Sequence, residues 1–409
     1  MQRTAPFSNI VIVGEEIPPC AGGVAQWGYW LGRKFRERGM GVVYAAPAGC
    51  ARPQEYYGDA FEVHAVPGDD WRHRKDRRVF HALYRLWRSR RPALVVCLTW
   101  KMARVPLALR PFTGWRVAVL AHGMEVTKKR ERWRRRVGLR WIFGSADLAL
   151  AVSRYTRDRV AEFGVDPDRI EVVPCGVDPV RFQPRDGALF RRELGLQGLP
   201  VVLTLARLVR RKGHDLAIRA LAEVRRRIPN ATYLVAGNGE SSYLESLRSL
   251  ARQCGVEDAV RFLGRVEEDD LSGIYSASDV YVMTSRSSPS TGNFEGFGIT
   301  YLEANACALP VIGSDTGGVA DAILDGETGY LIPAEDVPTL TDRLLRLLGD
   351  PVLARRMGER GRARVLRDLT WDRIADRFLA ALDRRTGGRR PWSAGISRQD
   401  SSPVEPLRT

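Results

Sequence analysis

The sequence predicts an α/β protein made of two Rossmann-like, doubly wound parallel-sheet domains facing each other across a cleft. Three observations point there. Apolar runs of strand length alternate with helix-length amphipathic segments from end to end, the pattern of βαβ units. The alternation pauses in the Pro- and Gly-rich stretch DRIEVVPCGVDPVRFQPRD and then starts afresh. The length, 409 residues with 44% hydrophobic content, is enough for two domains, each with its own core.

In chain order, NIVIVGE, GVVYAAP, ALVVCL, WRVAVLAHG and ADLALAVS are the expected strands of the first half. Such unbroken apolar runs suit parallel strands covered on both faces. The segment VAQWGYWLGRKFRERG between the first two reads as a helix closed by the capping glycine Gly39. Residues 1–185 are assigned to the first domain and 186–370 to the second, with a linker near 178–190. The second half offers LPVVLTLARL, ATYLVAG, AVRFLG, DVYVMTS, LPVIGSD and TGYLIP as strands. Helices dominate from Val337 to about Arg385, and the polar tail 386–409, rich in Gly, Pro and Ser, is expected to be disordered. In open α/β sheets ligands bind beyond the carboxyl ends of the strands, so two facing sheets share one inter-domain site.

Composition narrows the class. The six cysteines (Cys20, Cys50, Cys97, Cys175, Cys254, Cys307) stand singly, without the close pairs of zinc sites or redox dithiols, and read as small buried hydrophobes in a reducing compartment. The opening MQRTAPFSNIVIVGEE has too short an apolar run for a signal peptide, and no stretch approaches the roughly 18 apolar residues of a membrane span. A cytoplasmic location is therefore expected. The net charge of +16 is concentrated: residues 71–91 carry nine Lys/Arg and one Asp (+8), and residues 128–140 carry eight Lys/Arg and one Glu (+7).

The chemistry is concentrated in FEGFGITYLEANACALPVIGSDTGG, residues 294–318. Gly296 and Gly298 allow close backbone approach to a ligand, and a helix starting near Gly298 offers free N–H groups and a positive dipole end, a seat for phosphate. Glycines in a βα loop also serve merely to turn the chain. Glu295 and Glu303 flank that seat, where carboxylates can accept hydrogen bonds from sugar or ribose hydroxyls. A nucleotide sugar supplies sugar, diphosphate and ribose together. Arg207 and Lys212 of LARLVRRKGHD lie in a loop at a strand's carboxyl end, placed to neutralise the diphosphate, with Arg210 and Arg211 read as solvated neighbours. Gly22 and Gly23 open the first helix and form a second place for close contact with phosphates, without the fingerprint of nicotinamide proteins. His122 ends a strand that points into the cleft.

Together these residues resemble the retaining glycosyltransferases of family 4, which have the GT-B fold. The resemblance rests on the Glu295-x7-Glu303 spacing with RLVRRKG, SDTGGVADAI, AVSRYTRD and VVPCGVD, and covers about residues 8–385. It implies that Glu295 contacts the transferred hexose and Glu303 the ribose. The N–H groups of Gly296, Phe297, Gly298 and Ile299 would meet sugar and phosphates, while Arg207 and Lys212 hold the diphosphate. His122 matches the histidine near the reacting face of the sugar, and Gly22-Gly23 the N-terminal phosphate loop. It also implies that the last helix, about 371–385, crosses back onto the first domain. No cofactor and no metal are expected, since Arg207, Lys212 and the helix N-terminus can balance the developing charge. The segment SRSSPSTGNF before Glu295 is longer and more polar than a minimal loop and departs from the pattern.

The implied reaction is transfer from GDP-mannose or a UDP-hexose to a hydroxyl acceptor, a lipid, glycan or lipid-linked glycan of cell-envelope or polysaccharide synthesis. The basic segments interleave arginine with Trp71, Phe80, Tyr84, Trp87, Trp133 and Trp141, a composition suited to an anionic membrane surface, peripheral on the inner face. No nucleic-acid motif accompanies the charge, so nucleic acid is not an expected partner. Competing expectations are a GT-B isomerase or phosphorylase, or a non-catalytic basic adaptor for membrane or nucleic acid.

Overall fold

Two parallel sheets organise the chain, as described by a computed structural model for residues 9–19, 22–67, 75–123, 133–287 and 294–387. The first sheet contains β1 (Ile10–Val13), β2 (Val42–Pro47), β3 (Glu62–Val66), β4 (Leu94–Cys97), β5 (Arg116–Ala121), β6 (Leu148–Ala151) and β7 (Ile170–Val172). Its order is β3-β2-β1-β4-β5-β6-β7. The second contains β8 (Val201–Leu205), β9 (Thr232–Ala236), β10 (Val260–Gly264), β11 (Val280–Met283), β12 (Val311–Ser314) and β13 (Gly329–Ile332), ordered β10-β9-β8-β11-β12-β13. Both are doubly wound, with the strand order reversing between β1 and β4 and again between β8 and β11. This is the GT-B arrangement of two Rossmann-like sheets.

Every strand expected from an unbroken apolar run forms. The residues of β1, β4, β6, β11 and β12 are all buried, because helices cover both faces. Two further strands were not anticipated. β3 and β7 are the edges of the first sheet, and their burial patterns are mixed: Glu62 is exposed and Glu171 half-buried. Edge strands need less apolar surface, so their sequence signal is weak. The segment IEV therefore belongs to the first sheet rather than to the approach to the linker. Cys97, Cys175 and Cys307 are buried, as expected, whereas Cys50 and Cys254 are only half-buried. Cys20, Trp71 and the tail 388–409 lie outside the described residues.

The helix Trp371–Thr386 packs on the first helix, Gly23–Glu37, far away in sequence. Trp30 stacks on Trp371 with centroids 6.4 Å apart, and Phe35 meets Phe378 at 5.3 Å. Arg38 donates to Asp376 at 2.7 Å, and Lys34 pairs with Asp372 at 2.9 Å. A buried aromatic seam rimmed by ion pairs thus ties the end of the chain to its beginning. The reversal points of the two sheets are at the loops that follow β1 and β8.

Candidate active site

The loop after β8 is a 3-10 turn, Arg210–Lys212, closed by Gly213 at φ 74° before the helix His214–Arg225. Gly213 is required there: a Cβ would lie 2.1 Å from the Thr284 carbonyl oxygen. The turn is held from both sides. Arg286 forks onto Asp215 at 2.7 and 2.8 Å and donates to the Arg210 carbonyl at 2.9 Å, while His214 Nε2 stands 3.2 Å from the Arg207 carbonyl oxygen.

This framework aims Lys212 at Glu295. Lys212 Nζ donates to Glu295 Oε2 at 2.6 Å, Arg211 Nη1 to the same oxygen at 2.8 Å, and Ser285 Oγ at 3.2 Å. Only 12%, 12% and 17% of the Glu295, Lys212 and Arg211 side chains are exposed. Burial alone would raise the Glu295 carboxyl, but the charges of Lys212 and Arg211, with their hydrogen bonds, outweigh it and hold the group down to about 2. Burial also lowers the Lys212 ammonium, partly countered by Glu295. Arg211, read from sequence as a solvated neighbour, is thus the second cation on the carboxylate. Arg210 is exposed, as expected, and so is Arg207.

The backbone after Glu295 is positioned by close approaches that no other residue type permits. Gly318 N donates to the Glu295 carbonyl at 2.8 Å, and a Cβ on Gly318 would lie 2.0 Å from the Gly296 carbonyl oxygen. A Cβ on Gly296 would lie 2.2 Å from the His122 carbonyl oxygen. The Gly317-Gly318 pair therefore serves as a bed for the Glu295-Gly296 turn, and Gly296 lets the two domains meet. Gly298 caps the helix Ile299–Ala306 at φ 93° with no side-chain cap, and Tyr301 N donates to the Gly298 carbonyl at 3.1 Å. Buried Phe297 anchors the turn in the core.

From the first domain, His122 follows β5 directly, edge-on to Trp27 at 6.2 Å. Desolvation pushes its imidazole down to about 3, against a backbone hydrogen bond involving Leu98, so the ring is neutral at physiological pH. The Gly22-Gly23 turn opens the first helix; a Cβ on Gly23 would stand 3.7 Å from Ile299 Cδ1, which places the two glycine turns face to face. Beside them, the Glu16 carboxyl is raised by burial and countered by the charge of Arg207, a residue of the other domain. Phe294 packs edge-on against Tyr155 at 4.8 Å, and Arg154 pairs with Asp321 at 2.5 Å, completing the contact between domains.

The structure thus brings Glu295, Lys212, Gly296, Gly298 and Ile299 together with His122 and Gly23 at one seam. Glu303 sits further along its helix in a different environment. It accepts a hydrogen bond from Tyr275 Oη at 2.8 Å, and burial raises its carboxyl, countered by Tyr275 and Arg181. Two glutamates eight positions apart are therefore driven in opposite directions, Glu295 downward by two cations and Glu303 upward by burial. Tyr275, like Arg211, was not anticipated. Most of the polar segment before Glu295, residues 288–293, lies outside the described residues.

Two converging nucleotide-fold sheets, with a glycine turn and two cations on the Glu295 carboxylate at their seam, match the architecture of the glycosyltransferases. The Glycosyltransferase Family 4 domain matches residues 21–181 and the Glycosyl transferases group 1 domain residues 188–364. A GDP-mannose-dependent alpha-(1-6)-phosphatidylinositol monomannoside mannosyltransferase of Mycobacterium tuberculosis is 34% identical over 401 residues, 92% of this chain and 98% of the relative. Its counterpart in Mycolicibacterium smegmatis is 37% identical over 301 residues, 71% of this chain and 77% of the relative. The chain belongs to the family 4 glycosyltransferases. Among solved structures, Anabaena HepE in complex with UDP and glucose superposes with a TM-score of 0.74 at 18% identity, covering 91% of this chain and 99% of that one, a likeness of fold. Among the described residues no helix is long and apolar enough to cross a membrane.

Proposed function

We propose that the protein is a retaining, metal-independent mannosyltransferase that moves mannose from GDP-mannose to a hydroxyl of an inositol-lipid acceptor. The observation that carries the donor and acceptor is the match, along 92% of the chain, to a relative named for GDP-mannose and a phosphatidylinositol mannoside. The site geometry supports the chemistry. The first-turn amides of Ile299–Ala306 receive the diphosphate, Arg207 and Lys212 neutralise it as it departs, and Glu295 and Glu303 hold sugar and ribose hydroxyls. Gly22 and Gly23 close over the phosphates from the other domain.

In this reading the bond from the anomeric carbon to the diphosphate oxygen breaks while a bond to the acceptor oxygen forms on the same face. The hydroxyl proton passes to an oxygen of the leaving phosphate, so configuration is retained and no base from the protein is needed. Neutral His122 stands by the reacting face as a hydrogen-bonding group rather than a cation. The charge that a metal supplies in other transferases comes here from Arg207, Lys212 and the helix N-terminus.

An anionic membrane surface presents the acceptor. Phe80, Tyr84 and Trp87 lie exposed at i, i+4, i+7 on the helix Lys75–Arg90, and Trp133, Val137 and Trp141 at i, i+4, i+8 on Trp133–Ser145. Each stripe is bordered by arginines, which suits insertion of aromatics among acidic headgroups. Residues 71–74 and 128–132 of the basic segments lie outside the described residues. The test is transfer of labelled mannose from GDP-mannose to phosphatidylinositol mannoside in vesicles, with the product anomer assigned by NMR and the reaction run in a strong chelator. An α-linked product formed without divalent metal is expected. Turnover only with UDP-hexoses, an inverted product, or abolition by chelator would refute the corresponding part.

A further inference from the structure

Glu295 carries two cations on one oxygen, and the proposed reaction needs one of them elsewhere. Lys212 at 2.6 Å and Arg211 at 2.8 Å both donate to Oε2. In the reading above, on which this inference rests, Lys212 must turn to the donor diphosphate while Glu295 turns to the sugar. A carboxylate only 12% exposed and stripped of its sole cation would protonate or lose its orientation. Arg211 removes that problem because it is anchored independently of the donor. Its Nη1 also reaches the Phe294 carbonyl at 3.4 Å, and its own carbonyl accepts from Arg286 N at 2.8 Å. A guanidinium bound to both the side chain of Glu295 and the backbone before it fixes the orientation of that carboxylate.

We propose that Arg211 is a positioning residue that keeps Glu295 charged and oriented while Lys212 transfers from the carboxylate to the donor diphosphate. Among the described residues, Lys212 and Arg211 are the two cations in hydrogen-bond contact with this carboxylate. Among the described residues, the neutral titratable groups that feel its charge are Cys175 in the loop after β7, Tyr281 from β11 and Tyr301 from the helix Ile299–Ala306. All three are held neutral, first by burial and then in part by the charge of Glu295. His122, across the Gly296 contact, is neutral as well. None can replace Arg211.

The experiment is the pH profile of kcat, at saturating GDP-mannose, for the parent, Arg211→Gln and Arg211→Lys. A fully buried carboxyl left without a cation titrates up to about 3–5 units above its ordinary value, and kcat reports the enzyme–substrate complex. The parent and Arg211→Lys are therefore expected to be flat from pH 8 to pH 5.5. Arg211→Gln should lose about tenfold or more in kcat over that interval, the loss for each unit of titration, and recover at the alkaline end. Identical profiles for parent and Arg211→Gln, or failure of Arg211→Lys to restore the flat profile, overturn the proposal. Should Arg211→Gln not fold, the Glu295 carboxyl carbon is titrated by NMR in the parent saturated with GDP. A midpoint below about pH 4 is expected, and one above the ordinary glutamate range overturns the proposal. Loss of transfer in Lys212→Ala and Glu295→Ala with an unmoved Arg211→Gln profile refutes this role alone; near-normal turnover in those two refutes the site reading itself.

Discussion

Replacing Glu295 by Gln keeps the volume of the side chain and removes its charge. The carboxyl is held at about 2 against an ordinary value of 4.5, a difference that corresponds to about 3 kcal/mol of native-state stabilisation at neutral pH. Part of this is offset, because burial lowers the Lys212 ammonium, so the same pair strains its cation. An amide oxygen also keeps weaker hydrogen bonds from Lys212 and Arg211. The net loss of stability is therefore about 1–2 kcal/mol, a few degrees in the melting midpoint. The pH dependence has a definite sign. A depressed carboxyl stabilises above its unfolded value and loses that contribution as pH falls through the folded value, so the parent's advantage is full above about pH 5 and disappears toward pH 2. Activity should suffer far more: a lost transition-state contact of this kind costs about 10²–10³ in kcat. Denaturant unfolding at pH 7 and pH 2.5, with mannosyl transfer at pH 7, measures both. A kcat within threefold of the parent, or a stability gap unchanged at pH 2.5, would refute the reasoning.

Gly296→Ala should retain secondary structure but lose at least about 10²-fold in transfer, because its Cβ would meet the His122 carbonyl oxygen at 2.2 Å and force the domains apart; activity assays beside circular dichroism check it. His122, lowered to about 3, should give no limb in the rate profile near pH 6.5. Its effect on stability has the opposite sign to a salt-bridged histidine: the unfolded chain takes up the proton first, so stability falls as pH drops below about 6.5, and His122→Asn should flatten that slope in urea titrations at pH 7 and pH 5. Changing Trp133 and Trp141 to Ser and Arg134 and Arg136 to Glu should release the protein from acidic vesicles in flotation assays while sparing hydrolysis of GDP-mannose.

Much of this architecture could be read from the chain because parallel strands covered on both faces must be apolar throughout. NIVIVGE and DVYVMTS carry that demand openly. β3 and β7 escaped because an edge strand can expose Glu62 or half-expose Glu171 and still pair. That Glu295, Lys212 and the glycines converge on one seam was legible since close backbone approach and charge pairing restrict residue type. Arg211 was not, because its partner lies 84 positions away and only the 3-10 turn decides which of three consecutive cations face inward. The signal that was available is the turn itself: in Arg210–Arg211–Lys212 before a positive-φ glycine, the side chains fan outward about 120° apart, so all three cannot face water. Tyr275 was hidden for the same reason, being 28 positions from Glu303 and in a separate helix.

The account stands or falls on where the donor diphosphate binds. A crystal structure with GDP-mannose should show its phosphates on the amides of Gly296 to Ile299, with Lys212 and Arg207 on their oxygens, the mannose against Glu295 and the ribose against Glu303. Phosphates bound away from the turn between Glu295 and Ile299, or a sugar out of reach of Glu295, would contradict it.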